Sequence, residues 1–239
     1  MTWPVDRRIV VLAMACVVET VACLAVYEIT GRWLFRSFVW NLFLAVLPLV
    51  ASLVAERYGS RRPWVGWVAC VVWLPLFPNT VYVTTDLIHL HRVSFGGDKD
   101  SSWPFLRYSD DLAAWLQLFV LAGLVFVALY LGLWSLSHMQ AFWSARWGRP
   151  WALVAVVGAS VACGYGIYLG RFARANSWEV LAPNTLVPTL VDSANTFAIA
   201  FAGLVAAYLL LAYALFHAFA DPSPVQLGAP RHDTPGTPD

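Results

Sequence analysis

Charge is scarce in this chain. Only 12% of its 239 residues are Asp, Glu, Lys or Arg, against roughly a quarter in a soluble domain. Basic and acidic residues nearly cancel, 15 against 14. No basic surface is therefore offered to nucleic acid, and no acidic or basic tail dominates. Cysteine is sparse as well. Cys16, Cys23, Cys70 and Cys163 all fall in apolar stretches without CxxC spacing, which excludes a disulfide framework or a zinc knuckle and leaves small packing residues. A Gly-rich phosphate loop, a GxSxG elbow and an HExxH helix are also missing. On these grounds no metal and no cofactor is expected.

What the chain has in abundance is apolar surface. Hydrophobic residues make up 60% of it, and the mean hydropathy is +0.65. Six segments are long enough to cross a hydrocarbon core, which takes roughly 20 residues of helix. They run over 9–29, 38–55, 64–90, 112–135, 151–169 and 194–219. The expected fold is all-α: a polytopic transmembrane helix bundle of about six spans over residues 1–220. The polar, proline-rich stretch 221–239 is expected to be a disordered cytoplasmic tail. Trp33, Trp40, Trp64, Trp143, Trp147, Trp151 and Trp178 sit near span ends, where aromatic belts form.

Orientation rests on few charges. Arg7-Arg8 precedes the first span, and the Arg57–Arg62 hairpin is short and basic. Both favour cytoplasmic termini in an inner (plasma) membrane. Glu19 interrupts the first span, which is read as an uncleaved anchor. With Glu19 turned to the bundle interior, the cost of a carboxylate in lipid is avoided. On this topology the segments 30–37, 79–108 and 170–195 share the extracytoplasmic face.

The third span carries the densest chemistry. Pro75 and Pro78 each remove a helical donor and crowd the preceding turn, so the span should be broken there. Asn79, Tyr82, Asp86 and His89 follow, and at about 100° per residue they share one helix face. Broken helices and ionisable side chains are tolerated at membrane depth only against protein or a watery cavity, so the four mark a candidate ligand site. Asp86 with His89 and His91 also resembles an acid–base or metal pair. The plainer alternative is an interfacial helix end with Asp86 paired to an arginine.

A second cluster lies after the fifth span. Arg171 and Arg174 could grip an anionic head group between them, with Asn176 close by. Snorkelling to lipid phosphates, or pairing with Asp86 or Glu179, weighs equally. Gly158, Ala162, Gly166 and Gly170 form a stripe of small residues, expected to seat a neighbouring helix. Ser109-Asp110-Asp111 reads as a helix start with Ser109 as its cap.

Three stretches carry a resemblance: Trp40-Asn-Leu-Phe-Leu-Ala-Val-Leu-Pro48, Phe77-Pro-Asn-Thr-Val-Tyr-Val-Thr-Thr-Asp-Leu-Ile-His-Leu90 and Gly166-Ile-Tyr-Leu-Gly-Arg-Phe-Ala-Arg-Ala-Asn-Ser-Trp178. Together they resemble an uncharacterised bacterial integral-membrane family, a domain of unknown function. Val46-Leu47 departs from the Trp-Ile-like pair that the family tends to carry. The resemblance implies a polytopic membrane protein and brings no activity or catalytic residue with it.

Three functions compete. One is binding of a small molecule or lipid head group, with a link to transport, beside the lipid bilayer as the chain's constant partner. Another is a membrane-embedded enzyme using Asp86 and His89 on a lipid or lipid-linked substrate. The third is a structural or regulatory membrane subunit.

Overall fold

A computed structural model describes residues 7–59, 61–95, 109–173 and 195–220. Six helical spans long and apolar enough to cross a membrane lie among them. They are α1 (Arg7–Thr30), α2 (Trp33–Gly59), a composite third span, α5 (Leu112–Trp147), α6 (Arg149–Tyr168) and α7 (Thr196–Ala220). The third comprises α3 (Pro63–Leu76), α4 (Pro78–Tyr82) and a 3-10 helix, Val83–Arg92. A π-helical turn, Leu169–Ala173, extends α6. The tail from Asp221 onward lies outside the described residues.

The outer surface explains why these helices belong in lipid. Val11, Val17, Val21, Phe119, Phe126, Leu204 and Leu211 are all more than half exposed. In water such a surface would drive association. In a bilayer it costs nothing.

Helix α5 is the axis. It packs against α1, α2, α4, the 3-10 helix, α6 and α7. It runs twelve residues past the expected end at Ser135, to Trp147. The reason is that three of its late polar residues find partners on other helices. Ser135 Oγ accepts from Trp73 Nε1 at 2.6 Å, His138 Nδ1 meets Glu56 Oε2, and Gln140 Oε1 accepts from Tyr213 Oη at 2.6 Å. Polarity that ends a hydropathy run therefore does not end the helix. Trp143 is a second correction: it lies in the core, edge-on to Trp73 at 5.8 Å, and not in a belt. Trp33, Trp40, Trp64, Trp147 and Trp151 are exposed, as belt residues are. The cap of α5 also shifts. Asp111 accepts from Ala113 N at 2.9 Å, while Ser109 Oγ accepts from Asp111 N.

The small-residue stripe on α6 is corrected too. Gly158 and Ala162 are exposed, and a Cβ on Gly158 would meet nothing. The contact with α7 instead runs through Gly164, where a Cβ would come within 2.4 Å of the Ala202 carbonyl oxygen. A four-residue repeat drifts by about 40° per step on a helix of 3.6 residues per turn, so the stripe slides off the interface. Only its far end packs, with Gly166 against the Pro78 ring.

Candidate functional site

The break in the third span falls at Phe77–Pro78, whereas Pro75 stays inside α3. Without an N–H on Pro78, the Leu74 carbonyl loses its helical donor. Thr80 N then bonds Phe77 O at 3.1 Å instead of Leu76 O, and Asn79 Nδ2 takes Leu76 O at 2.8 Å. Thr80 seats its hydroxyl against Gly132 of α5, where a Cβ would come within 2.4 Å of Oγ1. That close approach pins α4 to the axis.

Beyond Tyr82 the chain tightens to a 3-10 helix, in which residues three apart eclipse. The four predicted residues therefore do not share a face by α-helical arithmetic. Asp86 and His89 stack instead, with His89 Nε2 3.7 Å from Asp86 Oδ1. Val83 and Asp86 form the buried edge, and Asp86 is only 2% exposed.

Arg171 reaches this edge from the π-helical turn after α6. Its Nη2 lies 2.7 Å from Asp86 Oδ1, and its Nε donates to Thr85 Oγ1 at 3.1 Å. The guanidinium lies over the Tyr82 ring, 4.3 Å from the centroid. The extra residue in the π turn rotates the backbone after Tyr168, and such turns recur at functional sites. From α2, Asn41 Nδ2 donates to Asp86 Oδ2 at 3.0 Å. One carboxylate thus joins spans two, three and five. Burying either charge alone would be costly, and each compensates the other.

The structure gathers Tyr82, Asp86, His89 and Arg171, and Asn79 Nδ2 donates to the Leu76 carbonyl. Arg174 and Asn176 lie outside the described residues. His91 Nδ1 bonds Ile88 O at 2.5 Å, away from Asp86. Asn41 and Thr85 are members that sequence reasoning missed. Asn41 had a signal: it is the only amide in an otherwise apolar second span. Thr85 had none, since threonine bonds its own helix as readily.

Among the described residues, no third His, Cys, Asp or Glu joins Asp86 and His89 in a group that could hold a metal. Asp86 is occupied on both oxygens. His89 is different: its Nδ1 is buried with no hydrogen-bond partner among the described residues, while its side chain is 22% exposed.

Asn41 supplies a direct check. Asn41→Ala removes a hydrogen bond to a charged acceptor and should lower stability in detergent by about 1.5–3 kcal/mol. Asn41→Asp should cost more, because a second carboxylate would then face Asp86. Equal melting temperatures for wild type and both variants would remove Asn41 from the cluster.

A family model described as a protein of unknown function, DUF1361, matches residues 40–212. No curated protein and no solved structure matches the chain. The match takes in every residue of the cluster, from Asn41 to Arg171. The chain belongs to the DUF1361 family.

Proposed function

We propose that this DUF1361 protein, a multi-pass membrane protein, binds a small polar molecule or a lipid head group where Asp86 and Arg171 meet. The observation that carries this reading is His89. A ring nitrogen buried without a partner costs stability, and a ligand that supplies the partner recovers it. The ion pair beside it forms a fixed, neutral floor. His89 at its rim is the group that touches the ligand.

Native mass spectrometry with metal analysis, on protein purified in mild detergent, tests the reading. A retained polar adduct or lipid supports it. A stoichiometric metal would favour the membrane enzyme. A bare protein would favour the structural subunit, the reading to which the occupied state of Asp86 lends most weight. The enzyme reading is weaker, because Arg171 and Asn41 hold the very oxygens a general base would use.

We further propose that this end faces away from the cytoplasm of a bacterial inner membrane, with both termini inside. On this topology the 15 Lys and Arg residues divide almost evenly between the two sides, and Arg7-Arg8 before the first span and the short basic Arg57–Arg62 hairpin tip the balance toward cytoplasmic termini. In a background without native cysteines, Ser94→Cys and Asp110→Cys should react with an impermeant thiol reagent on intact cells. Arg61→Cys should react only after lysis. The reverse pattern would invert the orientation.

A further inference from the structure

At the end opposite the Asp86 cluster, α1 and α5 part to leave an open groove of about 450 Å³. The two helices run antiparallel and are held together further in, where the Glu19 carboxyl lies over Gly123; a Cβ there would come within 2.3 Å of Oε1. One turn toward the N-terminus of α1 the groove begins, with Ala15 and Val127 both in its lining. Its walls are Val11 and Ala15 of α1 and Phe126 and Val127 of α5. Arg7 and Arg8 stand at its mouth, and Tyr130 brings a hydroxyl to the α5 side.

We propose that this groove is a binding site for one anionic phospholipid. The acyl chain lies between α1 and α5, and the phosphate sits on Arg7 and Arg8. Three observations point the same way. The groove opens along a lipid-facing surface, with Val11 57% and Phe126 70% exposed. From Arg7 to Ala15 it follows α1 for about 12 Å at 1.5 Å per residue, a length that suits an acyl chain running along the membrane normal. Among the residues that line the groove, charge lies only at the outer end, where basic residues at a helix end attract anionic lipid. The walls between the two ends, Val11, Leu12, Ala15, Phe126 and Val127, are apolar and suit a hydrocarbon chain better than a peptide or a soluble metabolite.

Native mass spectrometry in mild detergent, titrating phosphatidylglycerol against phosphatidylcholine, tests this. Wild type should retain one phosphatidylglycerol in preference to phosphatidylcholine. Replacing both arginines (R7Q with R8Q) should weaken that retention by about thirtyfold, at about 1 kcal/mol for each basic residue. Ala15→Trp, which fills the groove without changing charge, should abolish it. Arg61→Gln, a change at the same end but off the groove, should leave it intact. Retention that ignores head-group charge, or that falls equally with Arg61→Gln, would overturn the proposal. Should Ala15→Trp fail to fold, the arginine variants decide alone.

Discussion

Asp86→Asn and Arg171→Gln should each destabilise the protein by about 3–5 kcal/mol, the cost of leaving one member of a buried ion pair without its partner. The contacts set this scale. Arg171 Nη2 lies 2.7 Å from an Asp86 carboxylate that is 2% exposed, and Asn41 alone would remain to hold a lone carboxylate closely. Removing both charges together should cost less than the two losses added. A double-mutant cycle read by melting in detergent measures the difference, expected at about 1–3 kcal/mol of coupling. Additive losses would mean that the two charges meet without depending on each other, and the clamp joining spans two, three and five would be dismissed.

Gly164→Leu should be nearly as damaging. A Cβ at Gly164 would come within 2.4 Å of the Ala202 carbonyl oxygen and 2.9 Å of Ala202 Cα. These are backbone atoms of α7, so no side chain can swing aside and the helices must separate. Overpacking usually costs about 1–3 kcal/mol; here the upper end or beyond is expected, because an entire helix interface shifts. Gly158→Leu is the control. Six residues earlier on the same helix, its Cβ would meet nothing, and melting should stay at the wild-type value. Equal losses at the two positions would show that α6 meets α7 along the stripe of Gly158 and Ala162 after all.

The two glycines also show where sequence and structure part. Hydropathy located all six spans, because a bilayer admits only long apolar helices that satisfy their own backbone. It also led to Asp86 and Arg171, since isolated charges beside apolar runs must find each other. Rotation about each helix was harder to read. Gly158 and Gly164 are both small residues in one apolar helix, and only the neighbour's position tells which is an interface. The 3-10 winding of Val83–Arg92 changed the face on which Asp86 and His89 lie, and no residue in that stretch announces it. Asn41 was visible as a lone amide, but its partner lies 45 residues away. The last third of α5 stayed hidden because polar residues there that find partners on other helices look, in sequence, like the end of a span.

The role given to His89 meets its most direct test in ligand occupancy. Native mass spectra of wild type and His89→Gln, purified identically and matched for melting temperature, should differ in one respect. Wild type carries the polar adduct, and His89→Gln has lost it, while the phosphatidylglycerol governed by Arg7 and Arg8 remains on both. The same adduct on both proteins at equal occupancy would contradict the account.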